Sequence, residues 1–356
     1  MKTASNQRLM LFMLAPFLGA LCWLIFFDTP IIELQKLNQP QSPKTSVFQH
    51  VEQITTLLHE AKSNAVTINE RVSVYSDSYA KSTTTANELA YRASLYVDKP
   101  MQIYDERVTS LLGTAIHHVH SPAIDLKIFP IKEKQYSGYA MKVNLKDPSA
   151  MTMVLGKDQL GSSETTLQAA KRYDAIAGVN AGVFADHRHT GMRYPLSTTM
   201  VDEQYVNGFT PTFMDLFFVG LNKEGQLIGG KFTKKDELDQ LGPVFGASFV
   251  PILIQNGEKQ EIPSKWLTSP ARAARTIIGN YKHDHLLFVV INGKDQHGSS
   301  GASLAELQQK LLQYGVINAY NLDGGGSTSL VYNDEVLNTP TDGKLRRLPT
   351  HFLFFE

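Results

Sequence analysis

The sequence contains a single cysteine, Cys22, among its 356 residues. The remainder of the chain therefore has no disulfide framework and no thiol chemistry. An excess of charge of either sign is also absent, because 34 basic residues balance 34 acidic ones and the formal net charge is zero. A chain without a basic surplus lacks the electrostatic signature of bulk nucleic-acid binding, so we expect no nucleic-acid partner.

Charged side chains are missing from residues 9–27, which are almost wholly apolar. At about 1.5 Å per residue, this segment can just span a hydrocarbon core about 30 Å thick. Lys2 and Arg8 precede it, and such positive flanks stay on the cytoplasmic side, which places the rest of the chain outside the cell. No Ala-x-Ala cleavage motif follows the run. We therefore expect a cytoplasmic tip and a retained signal-anchor over residues 1–30, rather than a cleaved signal peptide, in a single-pass protein of the cell membrane with an extracellular C-terminal domain.

Glycine and proline are missing from residues 47–98. Steps of three and four residues separate the apolar side chains there, as in an amphipathic helix. The residues with this spacing are Val51, Ile54, Leu58, Ala61, Ala65, Ile68 and Val72. The pattern permits a coiled-coil stalk that self-associates through residues 47–98, or a helical hairpin packed on the main domain with its break at residues 82–85. Both interpretations stay open, and residues 31–119 are assigned to a linker and this helical stalk or hairpin.

Residues 120–356 have a different character, with alternating strand-like segments, turns and capped helices. The predicted strands are 124–130, 139–145, 151–155, 175–180, 215–221, 226–232, 244–254, 286–291, 316–322 and 351–355. The predicted helices are 163–173, capped by Ser162 or Ser163, and 304–314, where Ser303 and Glu306 form a capping box. Residues 185–215 are interpreted as a long loop or lid. The predicted fold class is α+β: a mixed, largely antiparallel twisted sheet with packed helices, preceded by the transmembrane helix and the helical stalk.

The strongest signal for a functional site is the sequence Asp-Gly-Gly-Gly-Ser-Thr at residues 323–328. An apolar run predicted as a buried strand ends at Asp323, and the glycines after it allow backbone N–H groups to approach a ligand without interference from side chains. No Gly-Lys-Ser/Thr follows the glycines, so the loop is not a P-loop. A carboxylate in this position suits a site that handles a sugar or an anion. The alternative is a tight turn between core strands with Asp323 as a turn residue.

Two further polar side chains stand beside predicted strands. The amide of Asn180 can donate to a ligand oxygen, or it can satisfy local backbone as turn asparagines commonly do. Arg275 precedes an apolar strand, and a buried guanidinium needs an anionic partner, either on a ligand or on an aspartate such as Asp323. His187 and His189 have a spacing that can bind a metal, but a charged loop is preferred there.

The collected groups are one carboxylate, a glycine-rich loop with hydroxyls, an arginine and an asparagine. An ordinary glycosidase needs two carboxyl groups, one of which protonates a poor leaving group. A glycosyl phosphate instead releases a phosphate monoester, whose charge an arginine and backbone N–H groups can stabilise. One carboxylate can then act as a base or as an electrostatic stabiliser at the anomeric carbon. Arg346 or Arg347 can face the site, but a solvated turn is preferred for both.

Four motifs occur in a recognisable order: Gly-Val-Asn-Ala-Gly-Val-Phe at 178–184, Arg-Thr-Ile-Ile-Gly at 275–279, Ser-Gly at 300–301 and Asn-Leu-Asp-Gly-Gly-Gly-Ser-Thr at 321–328. In this combination the chain resembles the phosphodiester glycosidase family over about residues 120–356. The resemblance implies a hydrolase that cleaves a sugar-1-phosphodiester of the N-acetylglucosamine-1-phosphate type at the anomeric C–O bond, releasing free sugar and a phosphomonoester.

The resemblance also assigns roles to individual residues. The implied catalytic residues are Asp323, Arg275 and Asn180. The implied substrate-binding residues are Gly324, Gly325, Gly326, Ser327, Thr328, Asn292, Ser300 and Gly301. Thr328 stands where many members have serine, and Asn292 stands where aspartate is common, so a carboxylate role at position 292 is in doubt. No cofactor is assigned, and a requirement for a divalent cation stays open.

The lack of disulfides matches bacterial members of the family. We therefore expect the substrate to be a sugar-phosphate diester in a cell-surface glycan, such as a teichoic acid or an exopolysaccharide. Two alternatives from other functional classes remain: a non-catalytic module that binds sugar phosphates, and an envelope scaffold built on residues 47–98.

Overall fold

A computed structural model describes residues 45–97, 99–294 and 300–356 of the chain. The chain divides into two compact units, Met1–Tyr91 and Arg92–Glu356. The predicted signal-anchor at residues 9–27 lies outside the described residues. Among the helices of the described ranges, none is both long enough and apolar enough to cross a membrane.

Helix α1 runs without interruption over Thr45–Val97. The alternative of a helical hairpin with a break at residues 82–85 is therefore wrong. The three threonines of that segment each donate their hydroxyl to the carbonyl oxygen four residues earlier, so these side chains are satisfied inside the helix. The apolar side chains of the predicted face are exposed, with Val51 and Ile54 at 56% and Leu58 at 65%.

Helix α2, Lys99–Leu112, belongs to the second unit. Its side chains Val108 and Leu112 are buried in a hydrophobic cluster of that unit. The carboxylate of Asp105 accepts hydrogen bonds from His285 Nδ1, at 2.8 Å, and from the buried Lys142 ammonium. The compact unit therefore begins before residue 120, where the sequence placed the start of the catalytic domain.

Within the described residues, twenty strands and four further α-helices follow α2. The strands are β1 His117–His120, β2 Ile124–Lys132, β3 Ser137–Leu145, β4 Met151–Leu155, β5 Ala177–Asn180, β6 Phe184–Asp186, β7 Arg193–Pro195, β8 Met200–Val201, β9 Gln204–Tyr205, β10 Phe217–Asn222, β11 Leu227–Gly230, β12 Pro243–Phe249, β13 Ile252–Gln255, β14 Glu258–Lys259, β15 Arg275–Asn280, β16 Leu286–Ile291, β17 Asn318–Leu322, β18 Leu330–Tyr332, β19 Glu335–Val336 and β20 Thr350–Phe354. The helices are α3 Thr166–Tyr173, α4 Lys235–Asp239, α5 Ser264–Thr268 and α6 Leu304–Gln313.

The strands form three larger sheets and one hairpin. The largest sheet has eight strands in the order β1-β2-β3-β16-β15-β17-β13-β14. Two five-stranded sheets have the orders β11-β10-β12-β8-β9 and β19-β18-β5-β20-β4, and β6 pairs with β7. Every pairing between these described strands is antiparallel. The predicted α+β class with a largely antiparallel sheet is confirmed.

The hydrophobic core has two layers, one on each face of the eight-stranded sheet. Alternate side chains of its strands point to opposite faces. Thus Ile278 of β15 belongs to the cluster shared with the two five-stranded sheets, whereas Ile277 belongs to the cluster that contains side chains of α2 and α6. Helix α6 begins with the predicted capping box, in which Ser303 and Glu306 bond reciprocally, and packs against β13.

Three segments differ from their predictions. Residues 244–254 are not one strand, because the chain turns at Val250–Pro251 and passes from β12 in one sheet to β13 in another. Residues 185–215 contain the short strands β6 to β9 rather than a structureless loop. Thr165, and not Ser162 or Ser163, caps α3, because its own hydroxyl accepts from the backbone of Gln168.

Candidate active site

Asp323 lies immediately after β17, at the edge where β5 ends and β15 begins. Its backbone N–H donates to the carbonyl of Ala181 at 3.2 Å, and its carbonyl accepts from Asn180 Nδ2 at 2.6 Å. Thr276 pairs with Leu322 in the antiparallel ladder of β15 and β17, so Arg275 begins its strand beside Asp323 in the backbone register. The structure thus brings together the backbones of the three residues that the sequence predicted to be catalytic.

The three glycines after Asp323 occupy positions where a side chain would be crowded or the backbone angle is unusual. A Cβ on Gly324 would lie 2.8 Å from the carbonyl oxygen of Ala274, and Gly325 has a φ of +60°. A Cβ on Gly326 would collide with the carboxylate of Asp342 and the guanidinium of Arg346. Two charged side chains therefore lie directly against the loop at Gly326, an arrangement that a simple turn between core strands would not need.

Those two charged side chains complete a polar cluster at Asp323. Arg346 donates from Nη2 to Asp342 Oδ2 at 2.6 Å and from Nη1 to the Ser327 hydroxyl at 3.4 Å. Ser327 is 1% exposed and hydrogen-bonds the carboxylate of Asp323. The interpretation of Arg346 as part of a solvated turn is wrong, whereas Arg347 does point elsewhere and donates to the carbonyl of Ser163. The only sequence signal for Arg346 is its cationic character near the Asp342-Gly343 turn, and Asp342 was missed altogether.

Burial raises the pKa of the Asp323 carboxyl to about 6. The hydrogen bond from Ser327, the positive charge of Arg346 and the N–H of Gly324 act in the opposite direction and keep the pKa from rising further. Asp323 is therefore mainly ionised above pH 7 while still able to hold a proton in mildly acidic solution. A carboxyl shifted in this way by a specific environment is typical of a functional site.

The raised pKa of Asp323 predicts a dependence of stability on pH. A carboxyl whose pKa is higher in the folded protein favours folding when protonated, and this contribution is lost as pH rises from about 4 through about 6. Asp323→Asn should therefore raise the free energy of unfolding by on the order of 2 kcal/mol at pH 8 and by little at pH 4. Urea titrations of both proteins at the two pH values measure this difference, and a gain that does not depend on pH would contradict it.

Asn180 is fully buried and its amide is engaged by the protein itself. Its Oδ1 accepts from the Thr276 hydroxyl at 2.8 Å and from the backbone N–H of Ser329 at 3.0 Å, while its Nδ2 donates to the carbonyl of Asp323. These three bonds tie β5 to β15 and to both ends of the 323–328 loop. The structure therefore places Asn180 as a positioning residue that holds the loop.

Asn180→Ala should destabilise the protein by about 3 kcal/mol or more, because it leaves the Thr276 hydroxyl and the Ser329 N–H buried without an acceptor. Urea unfolding followed by circular dichroism measures the loss. Asn222→Ala is a suitable control, because that asparagine bonds within its own hairpin. Equal losses in the two variants would show that Asn180 has no special role in holding the loop.

Arg275 is buried, at 6% exposure, and its guanidinium donates to backbone carbonyls. Its Nε donates to the carbonyl of Ala302 at 3.3 Å and its Nη2 to that of Pro270 at 2.8 Å. Among the described residues no carboxylate pairs with it, so the alternative of an ion pair with Asp323 is not found. Burial lowers the pKa of its guanidinium to about 10. A buried cation without an anionic partner is costly, and direct contact of Arg275 with an anionic substrate stays a prediction.

The other predicted binding residues lie either in the 323–328 loop or in segments that hydrogen-bond to neighbouring strands. Asn292 links the strands around the site, because its Nδ2 donates to the Ser137 hydroxyl and its Oδ1 accepts from the N–H of Thr339. The hydroxyl of Ser300 donates to the carbonyl of Gln135, and Gly301 has a φ of +74° that places its carbonyl against Arg272. Thr328 is fully buried, beneath the surface of the loop. Ligand contact by these residues stays a prediction.

Side chains that could bind a metal come together on β1 and β2, and not at His187 and His189, the pair considered from the sequence. His187 bonds to the Thr190 hydroxyl, as expected for a loop. Within the described ranges, one group of three such residues converges: His118 and His120 on β1 and Asp125 on β2. Five strand positions separate β1 from β17 in the eight-stranded sheet, so this group is not part of the Asp323 cluster.

Comparisons with known proteins identify relatives of this chain. N-acetylglucosamine-1-phosphodiester alpha-N-acetylglucosaminidase of Bos taurus is 31% identical over 137 residues, covering 35% of this chain and 26% of that protein. The Homo sapiens protein of the same name is 32% identical with the same coverage, so the chain spans about a quarter of the length of these relatives.

Solved structures show the same fold. The catalytic domain of the zebrafish enzyme of that name, auto-inhibited by its pro-peptide, superposes with a TM-score of 0.54 at 23% identity, covering 68% of this chain and 87% of that one. A sequence model described as phosphodiester glycosidase matches residues 173–355, which is more than half of the chain. The chain therefore belongs to the phosphodiester glycosidase family.

Proposed function

We propose that the protein hydrolyses a sugar-1-phosphodiester of the N-acetylglucosamine-1-phosphate type at the anomeric C–O bond, in a cell-surface glycan or exopolysaccharide. The observation that carries this proposal is the cluster of Asp323, Ser327 and Arg346 on a glycine loop. In this cluster the Ser327 hydroxyl lies between the Asp323 carboxylate, whose pKa is raised, and the Arg346 guanidinium. The names of the relatives, which act on an N-acetylglucosamine-1-phosphodiester, support the same class of substrate.

The cluster divides the reaction between two groups. The ionised carboxylate of Asp323 stabilises positive charge that develops at the anomeric carbon, or acts as the base that activates the attacking water. The guanidinium of Arg346 and the N–H groups of the glycine loop stabilise negative charge on the departing phosphate. The bond between the anomeric carbon and the phosphate oxygen breaks with both electrons on oxygen. Water supplies the new hydroxyl of the free sugar.

Product analysis tests this assignment. The full chain in detergent would be given a GlcNAc-α-1-phosphodiester, and the products would be identified by NMR. Free GlcNAc and a phosphomonoester on the other alcohol are expected, whereas GlcNAc-1-phosphate would mean attack on the other ester bond and would overturn the mechanism. Binding of the diester without any turnover would favour the alternative of a non-catalytic sugar-phosphate-binding module.

We also propose that the domain acts outside the cell, held to the membrane by residues 9–27. The support is the uncharged apolar run with Lys2 and Arg8 before it. Protease added to intact cells should remove the 92–356 unit and leave the cytoplasmic tip protected. Full protection of the unit in intact cells, with digestion after lysis, would show the opposite orientation.

We further propose that the chain self-associates through residues 47–98. Helix α1 keeps an unbroken three-four spacing for six heptads, and such a repeat produces a left-handed coiled coil. The core positions are Val51, Ile54, Leu58, Ala61, Ala65, Ile68, Val72, Tyr75, Tyr79, Ser82, Ala86, Leu89 and Ala93. Five of these are alanine or serine, and such small residues fill a two-stranded core better than a wider one. In a parallel, in-register pair, the flanking positions Lys62 and Arg71 face Leu57 and Ser76 of the second copy, so no like charges oppose each other.

Disulfide trapping tests the parallel pair. In a Cys22→Ser background, Ile54→Cys and Leu89→Cys should each form a covalent dimer of the full chain, because identical core positions meet in a parallel, in-register coiled coil. Glu70→Cys, on the opposite face of α1, is the matched control and should stay monomeric on a denaturing gel. Crosslinking only in a mixture of the two core variants would show antiparallel pairing, and no crosslinking above the control would exclude the coiled coil.

A further inference from the structure

Three side chains that can bind a metal converge at the edge of the eight-stranded sheet, on the hairpin of β1 and β2. The ligand atoms of His118, His120 and Asp125 lie within 4.8 Å of one another. All three residues come before residue 173, where the match to the phosphodiester glycosidase family begins. Five strand positions, at about 4.8 Å each, put β1 about 24 Å from β17 within the sheet. The group is therefore separate from the cluster at Asp323.

Strand geometry explains why these side chains meet. Alternate residues of a strand point to opposite faces, so His118 and His120 share one face of β1. In the antiparallel ladder His120 stands directly opposite Asp125, and His118 stands opposite Lys127, two residues along β2. A His-x-His sequence on one strand and a carboxylate on its partner thus place two imidazoles and one carboxylate on the same face.

The turn between the two strands is fixed by its own hydrogen bonds. The hydroxyl of Ser121 accepts from the backbone N–H groups of Ala123 and Ile124, at 3.2 and 3.1 Å. The ammonium of Lys146 donates to the carbonyl of Ser121 at 2.6 Å. Because the backbone of the hairpin is held in this way, the three ligands need only side-chain rotations to close on an ion.

The separations of the ligand atoms fit a small divalent ion. His118 Nε2 lies 3.4 Å from Asp125 Oδ2, and His120 Nδ1 lies 2.7 Å from the same oxygen. Two ligands that each bind a tetrahedral Zn²⁺ at about 2.1 Å are about 3.4 Å apart. The first pair therefore has the required separation, and the second must open by about 0.7 Å.

The charged neighbours leave the ligand atoms accessible but do not favour cations in general. The Lys127 ammonium lies 3.6 Å from Asp125 Oδ1, the oxygen that the histidines do not contact. The Lys146 ammonium lies 3.4 Å from His120 Nε2, whereas Nδ1 of that ring faces Asp125. Two ammonium groups beside one carboxylate repel a cation that is attracted by charge alone, so binding here depends on coordination by imidazole.

We propose that His118, His120 and Asp125 bind one divalent transition-metal ion of the Zn²⁺ type. Two imidazole nitrogens and one carboxylate oxygen suit Zn²⁺, whereas Ca²⁺ and Mg²⁺ prefer ligand sets built from oxygen. The histidine side chains are 47% and 65% exposed, so the fourth position of the ion is open to water. The ion ties the edge strand β1 to β2, and the site does not depend on the proposed function at Asp323.

Zinc binding to the full chain in detergent, measured by competition with a chromophoric chelator, tests this proposal. Wild-type protein should bind one equivalent of Zn²⁺, which an excess of Ca²⁺ should not displace. His118→Ala and His120→Ala should each weaken binding about tenfold or more, since even loss of a group that only supports a metal ligand costs about 10–100-fold in affinity. The matched control is His187→Ala, which removes an exposed histidine of another His-x-His sequence and should leave the affinity unchanged.

Thermal unfolding gives a second measurement on the same proteins. Without zinc, the variants should melt close to the wild type, because the replaced side chains are exposed. Zinc should raise the Tm of the wild type and of His187→Ala but not that of His120→Ala, because an ion stabilises only the folded state that binds it. No uptake by the wild type, uptake that His120→Ala retains, displacement by Ca²⁺, or an equal loss in His187→Ala would overturn the proposal.

Discussion

Asp323→Asn is expected to lower kcat for a GlcNAc-α-1-phosphodiester by about 1000-fold or more. The amide keeps the size of the side chain but removes the negative charge that stabilises the anomeric carbon or activates water, and such contributions reach about 10²–10⁴-fold. The pKa of about 6 means that the wild-type group is ionised under the assay conditions, at pH 7.5. Single-turnover measurements with NMR detection of free sugar would quantify the loss.

The matched control is Asp147→Asn. Asp147 also follows a strand and caps its turn by accepting from the backbone N–H of Ser149, but it belongs to an exposed turn after β3. The control should retain kcat within about a factor of two. Because Asp323→Asn is expected to be more stable than the wild type at this pH, a loss of activity cannot be attributed to unfolding. Retention of more than a tenth of the wild-type kcat would remove Asp323 from the reaction.

Local sequence signals predicted the elements that form the site but not the contacts between them. The Asp-Gly-Gly-Gly-Ser loop and the capping box at Ser303 were evident because strand-to-loop transitions and helix caps depend on residues a few positions apart. Arg346 comes 23 residues after Asp323, and no spacing rule connects them. The chain must fold before its guanidinium lies against Gly326, so the sequence could offer contact of Arg346 with the site only as the less favoured alternative and did not indicate Asp342.

The role of Asn180 likewise could not be decided from the local sequence. The sequence could identify an asparagine at a strand end, and turn chemistry offered both a ligand and a structural interpretation. The decision depends on Thr276 and Ser329, which are 96 and 149 residues away and engage the same oxygen atom. Pro251 is a local signal against one continuous strand over 244–254, but no local signal shows that the two halves belong to different sheets.

Arg346→Ala is expected to lower kcat/KM by about 100-fold and to move its acidic limb to higher pH. The loss of rate follows from removal of one group that stabilises the departing phosphate. The shift has a separate cause, since the positive charge of Arg346 lowers the pKa of Asp323 in the wild type and its removal allows that pKa to rise above about 6. Activity requires the ionised carboxylate, so the midpoint of the rise in kcat/KM with pH should move upward with it.

The neighbouring arginine supplies the control, because Arg347 has the same charge and donates to the carbonyl of Ser163 instead of the cluster. Arg347→Ala should leave the midpoint of the pH profile in place, even if it weakens the loop that holds Ser163. Rates between pH 4.5 and 8.5 for the wild type and both variants separate the two roles. A midpoint that moves equally in the two variants would mean that Arg346 acts through general charge rather than through its place beside Ser327 and Asp323.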